Sequence, residues 1–298
     1  MKKTRKLEAI KSTTMFLTDQ DTEDYFAKLV DKSTAKLRDS MQHIDTEVGL
    51  RDFIAGNRES IKMLETVLGI SGERMKRVVT MIRVGKGYTF DSEWTESKLQ
   101  SELASNPGLM AEYCELFLHG RETEKYKQLI PKFILDDFFI DSNVISRVTN
   151  EDVLAKMYKA KIKTKYTSTY SHIYEKTVED CANAALAPLG LSLEKGNIEN
   201  VGKNLRYVAY GNRRIIITCN YSLTTSKGQT NYYNDRVQPV YQHIRGNNDI
   251  ILVNILDGAG WLARMSDYKK VYNDCHYFLN LKTMGKLAEI AKEFFNID

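Results

Sequence analysis

The run Asp249-Ile-Ile-Leu-Val-Asn-Ile-Leu constrains this chain most. A strand this apolar predicts burial on both faces, and a strand covered on both faces needs helices on either side of its sheet. The run therefore belongs to an α/β core. Its neighbours supply the other parts: a helix over 173–189 ended by Pro188-Leu-Gly190, two strands at 205–210 and 214–219 joined as a hairpin by Gly211-Asn212, and a helix over 231–244. Residues 275–279 read as a further strand and 282–295 as an amphipathic closing helix.

Upstream the period changes. From about residue 20 to 135, segments such as Asp24-Tyr-Phe-Ala-Lys-Leu-Val-Asp and Arg58-Glu-Ser-Ile-Lys-Met-Leu-Glu repeat apolar residues every three or four positions, which predicts five to seven short helices. Pro131 should end or kink the helix before it. The expected organisation is a helical domain over 1–150 and an α/β (α+β) domain over 151–298, with the boundary between 145 and 165. At that boundary a helix over 151–160 is followed by Lys161-Ile-Lys-Thr-Lys-Tyr, whose alternation predicts an extended strand. A content of 42% hydrophobic and 28% charged residues excludes disordered and fibrous architectures.

No apolar run approaches the roughly 18 to 20 residues of a membrane span. The start, Met1-Lys-Lys-Thr-Arg-Lys, lacks a following apolar segment and cleavage site, so the chain reads as a cytoplasmic protein with no membrane partner. Cys114, Cys181, Cys219 and Cys275 are far apart and form no CxxC pair, which predicts four reduced thiols rather than a zinc site or disulfides.

A net charge of +4 is too small to name a partner, so its distribution matters more. Over 58–83, a helix ending at Gly69, a short turn, and a second helix capped by Ser71 have the layout of a helix-turn-helix. The second helix bears Arg74, Lys76, Arg77 and Arg83 and leads into Gly85-Lys-Gly87. Such helix pairs also occur in many all-α domains, where basic residues are merely solvated. A second basic stretch holds Lys156, Lys159, Lys161, Lys163 and Lys165. On an extended strand Lys161, Lys163 and Lys165 would share one side and neutralise successive phosphates; the plain alternative is a soluble polar linker.

Asn220-Tyr-Ser, Ser226-Lys227, a helix carrying Asn231, Arg236, Tyr241 and Gln242, and an apolar strand running into Asp257-Gly-Ala-Gly-Trp261 follow one another in order. Together they resemble the C-terminal core of the DpnII-type type II restriction endonucleases over about 170–295. The resemblance implies a restriction-endonuclease-like mixed-sheet core flanked by helices, double-stranded DNA as partner, a homodimer, and Mg²⁺ held by carboxylates for phosphodiester hydrolysis. It places one metal-binding Asp near 205–207 and a Glu two residues before Asn220. Here those places hold Leu205, Arg206, Tyr207 and Thr218, and no acid occurs from Leu205 to Tyr233. Three explanations compete. The carboxylates have moved to Glu179, Glu199 and Asp235; or the core binds DNA without cleaving it; or the chemistry differs, as in a metal-independent glycosylase or lyase using groups such as His243 or Tyr207. For an active enzyme, the resemblance points to Glu179 and Asp235 as metal ligands, Asn220 near the attacking water, and Lys227 or Arg236 on the phosphate. The simplest reading of Asp257-Gly-Ala-Gly-Trp261 itself is structural: a strand end, a glycine turn and a buried indole.

Overall fold

The computed structural model describes residues 17–87, 92–224 and 227–297. The Met1-Lys-Lys-Thr-Arg-Lys start and Ser226 lie outside them. Two compact units divide the chain: Gln20–Lys163, and Thr164–Asp298 together with the residues up to Asp19. Among the described residues no helix is long and apolar enough to cross a membrane.

The first unit is helical. Its elements are α1 (Gln20–Ser40), α2 (Glu47–Gly56), α3 (Ser60–Leu68), α4 (Gly72–Gly85), α5 (Glu96–Ser105), α6 (Pro107–His119), α7 (Glu124–Leu129), α8 (Lys132–Leu135), α9 (Ser142–Thr149) and the start of α10 (Glu151–Leu186). Local chemistry explains the expected α3–α4 pair. Gly69 takes a left-handed φ of 71° and ends α3, and the Ser71 hydroxyl accepts from the Arg74 amide at 3.2 Å to open α4. Leu64, Val67, Val78 and Ile82 from this pair join one core with Tyr113 and Phe117 of α6.

The expected strand at 161–166 is not a strand: these residues lie inside α10. Apolar residues stand at every fourth position from Leu154 through Tyr158, Ile162, Tyr166, Tyr170, Tyr174 and Val178 to Ala182 and Leu186. That is a helical period, drifting by about 40° per step so that the apolar stripe winds around α10, and it outweighs six residues of polar alternation. At about 100° per residue, Lys161 and Lys165 share a face while Lys163 points away from both, so the three do not form the one-sided row expected of a strand.

The second unit carries a five-stranded mixed sheet in the order β1 (Leu193–Ile198), β2 (Gly202–Tyr210), β3 (Arg213–Tyr221), β4 (Ile250–Asp257) and β5 (Tyr277–Leu279). The hairpin β2–β3 turns at Gly211 with φ 54°, as the Gly-Asn pair predicts. The crossover from β3 to the parallel β4 consists of α11 (Lys227–Tyr232), a π-helical turn (Tyr233–Val237) and α12 (Gln238–Ile244). After β4 come α13 (Ala259–Ala263), α14 (Met265–Asn273) and, beyond β5, α15 (Lys286–Phe295). Both faces of β4 are covered. Ile251, Val253 and Ile255 pack with Tyr174, Val178 and α15, while Leu252 and Leu256 pack with Val237, Trp261 and Tyr268. The edge strand β1 was not foreseen, because Leu-Glu-Lys-Gly-Asn-Ile lacks apolar alternation and carries a Gly-Asn pair of the kind that favours a turn.

The Asp257-Gly-Ala-Gly-Trp261 turn is structural, as its simplest reading held. Gly258 has φ 104°, a Cβ there would overlap the Ser222 carbonyl oxygen, and one at Gly260 would lie 2.6 Å from Thr224 O. Only glycine lets this turn lie against the end of β3, where Gly260 N donates to Ser222 O at 2.8 Å. Asp257 is buried and accepts from the Tyr174 hydroxyl at 2.8 Å and the Leu281 amide at 2.9 Å.

Candidate functional site

The ladder between β2 and β3 runs from Tyr210–Arg213 to Arg206–Ile217. Beyond it the strands part. Leu205 and Gly202 remain paired with β1, and Thr218–Tyr221 remain paired with β4. A register irregularity between Gly196 and Ile198 and left-handed backbone at Asn200 and Asn204 accompany the divergence. The opening is a cleft of about 610 Å³ at the carboxyl end of β3, where open α/β sheets commonly bind ligands. Its walls are the start of β2, the end of β3 and the π-helical turn, including Lys203, Arg206, Thr218, Asn220, Asp235 and Arg236. Glu175 of α10 also lines it.

Arg206 is held from one side by two carboxylates. Its Nη2 donates to Glu175 at 2.9 Å and its Nε to Glu179 at 2.5 Å, and Lys195 pairs with Glu179 at 2.8 Å. Burial pushes the Glu179 carboxyl up, but hydrogen bonds from Lys195 and Arg206 outweigh it and hold it below the ordinary value. Glu179 is thus anionic and doubly paired. Burial raises the Cys219 thiol to about 12, so this cysteine is a buried hydrophobe in the protonated state and not a nucleophile.

Asn220 lines the cleft with its Oδ1 accepting from the Trp261 indole at 3.1 Å. The Thr218 Oγ1 is buried without a hydrogen-bond partner among the described residues. Asp235 and Arg236 are exposed on the π-helical turn. Pro239 has no N–H to offer the preceding turn, which accounts for the wider winding just there, and such turns recur at functional sites. Lys203, from the start of β2, and Arg236, from the π-helical turn, line the cleft and have no ion-pair partner among the described residues. Lys227 opens α11 and is exposed, but it is not part of the cleft wall.

The three candidate metal carboxylates do not come together. Asp235 is in the cleft, Glu179 is bound to Arg206 and Lys195, and Glu199 lines a separate depression with His243. Among the described residues no three His, Cys, Asp or Glu side chains are placed to hold a metal ion. Sequence reading missed Glu175 and Lys203. Glu175 had a signal, since it stands four residues before Glu179 and shares its helix face; Lys203 had none.

In the helical unit the α4 cations are engaged locally. Arg74 pairs with Asp137, Lys76 with Glu73, and Arg77 with Glu93 and Glu73. Arg83 donates to Ser92 O at 3.0 Å and lies over the Trp94 ring. Lys161 pairs with Glu65, whose side chain is buried, and Lys163 and Lys165 also have interactions. Comparison with protein-family models, with curated proteins and with solved structures gave no match.

Proposed function

We propose that this chain is a DNA-binding protein of the type II restriction endonuclease class, whose cleft holds a backbone phosphate of duplex DNA without hydrolysing it. One observation carries the reading: where the resemblance expects metal-binding acids, the diverging hairpin has Arg206 and Thr218, while Lys203 and Arg236 line the cleft with no ion-pair partner among the described residues. The exposed ammonium of Lys203 and guanidinium of Arg236 suit a phosphate oxygen, while Arg206 and the buried Thr218 hydroxyl do not suit Mg²⁺, which takes carboxylate and water oxygens. The donor set around Arg206 therefore does not fit the ion, and no hydrolytic step is assigned to it. The four free cysteines agree with work in the cytoplasm.

A second reading is favoured by one fact. Glu175 and Asp235 line the same cleft as Asn220, and Mg²⁺ is often bound by one or two carboxylates completed by substrate phosphate oxygens. On that reading the chain is a Mg²⁺-dependent type II endonuclease, acting as a homodimer to cut both strands. Incubating the full chain with plasmid DNA in Mg²⁺, Mn²⁺ or EDTA separates the possibilities. Binding without cleavage in all three is expected. Metal-dependent cleavage abolished by Asp235→Ala would establish the second reading, and breakage that persists in EDTA would point to a glycosylase or lyase.

A further inference from the structure

Among the described residues, the α4 cations Arg74, Lys76 and Arg77 are held by carboxylates of their own unit, yet the same unit has a groove at which two of three lysines are not. It is a depression of about 190 Å³ between α1, α3 and α10. Lys36, Lys62 and Lys161 stand around it, one from each helix, over a floor of Leu37, Met63 and Ile162. Lys161 is tied to buried Glu65, but Lys36 and Lys62 are exposed and have no ion-pair partner among the described residues. Lys28 and Lys32 precede Lys36 at four-residue spacing on α1, about 6 Å of helix rise apart, and are also exposed without an ion-pair partner among the described residues. The hydroxyl-bearing residues Ser33 and Tyr158 also line it. Glu59 is the one acid of the lining, against three lysines.

We infer that this groove, and not the exposed side of α4, is where the helical unit meets the phosphate backbone of nucleic acid. The reason is electrostatic. A cation already paired with a carboxylate must give up that partner to bind a phosphate, whereas an exposed, unpaired lysine exchanges only water and counterions. Two helices, α1 and α3, present such cations here at the groove or beside it, and hydroxyls at its wall complete the donor set for phosphate oxygens. An apolar floor adds surface against which sugar rings lie. The inference rests on the reading of the chain as a DNA-binding protein.

The test compares two double variants of the full chain by fluorescence anisotropy on a random duplex in EDTA, across a salt series. Lys36→Ala with Lys62→Ala should weaken binding about tenfold and reduce the slope of log K against log salt by about 1.8, the value for two lost phosphate contacts. Arg74→Ala with Arg77→Ala should leave both unchanged. Unaltered circular dichroism is expected for the groove variant, since both lysines are exposed. Wild-type-like binding by the groove variant, or an equal loss in the α4 variant, would overturn this inference alone. Displacement of DNA by poly-glutamate as readily as by a second duplex would overturn it in favour of an acidic protein partner. Absence of salt-dependent binding by the unmodified chain would overturn both it and the DNA reading.

Discussion

The cations that the sequence makes conspicuous and those that it does not meet different fates in the two units. In Gln20–Lys163 the basic residues most conspicuous in the sequence, Arg74, Lys76, Arg77 and Lys161, all end on carboxylates of the same unit. In the sheet unit Arg206 is likewise held, but Lys203 and Arg236, which no basic run marks out, stand at the cleft without an ion-pair partner among the described residues. Charge density along a sequence therefore says where cations are, while the fold decides which of them remain for a ligand.

That contrast can be broken from either side, and the two tryptophans report on it separately, because Trp94 lies in the helical unit and Trp261 in the sheet unit. The largest effect is expected for Gly258→Ala. It forces a side chain into a left-handed backbone and into the Ser222 carbonyl, and should cost the sheet unit about 3 kcal/mol, seen as early unfolding by Trp261 fluorescence in a Trp94→Phe background. Unchanged unfolding would show that the turn does not hold the end of β3.

Arg206→Ala comes next. It strands Glu175 and Glu179 beside one another and should destabilise the sheet unit by about 2 kcal/mol in urea titration; a neutral result would mean Lys195 alone satisfies Glu179.

Smaller effects should appear with pH, where individual carboxyls act in opposite directions. Burial, reinforced by Glu96 and only partly offset by Lys161, raises the Glu65 carboxyl. The folded helical unit then binds that proton more tightly than the unfolded chain does. Its contribution is full below the ordinary value of 4.5 and is lost as pH rises through the folded value. In the sheet unit Glu179 and Asp267 are held low. Burial opposes this, but Lys195 and Arg206 outweigh it for Glu179, and Thr230, Arg264 and Lys270 do so for Asp267. Their stability is present above 4.5 and 3.8 and is lost as pH falls through the folded values. Glu93 and Asp141 of the helical unit are also held low, so the Glu65 contribution is read by difference: between pH 3 and 7, stability at Trp94 should rise more steeply with pH in Glu65→Gln than in the unmodified chain, while stability at Trp261 rises with pH in both. An unchanged pH dependence at Trp94 in Glu65→Gln would contradict the assignment.

The smallest effect is expected for Arg77→Ala. Its ion pairs are solvent-screened, so the midpoint of chemical denaturation should be unchanged. A clear drop in the midpoint would mean that the pairing with Glu93 holds α4 in place.

Much of the sheet unit was legible because its signals are local. Gly211-Asn212 fixes a hairpin, the apolar run of β4 requires cover on both faces, and the two glycines of Asp257-Gly-Ala-Gly-Trp261 answer to a close backbone approach. Residues 161–166 were misread because six alternating residues were weighed against a helical register that needs the whole span from Leu154 to Leu186 to be seen. The partners of Arg74 and Lys161 were not legible at all, since Asp137 and Glu65 lie 63 and 96 residues away. For the same reason Glu175 and Lys203 became cleft residues only once β2 and β3 were seen to part.

The account stands on the cleft holding a phosphate through unpaired cations and no metal. Duplex binding by the full chain in EDTA, set against Lys203→Glu with Arg236→Glu, tests this most directly. The unmodified chain should bind in EDTA, and the charge reversal should weaken that binding about a hundredfold. Binding that requires added Mg²⁺, or that is indifferent to the reversal, would contradict it.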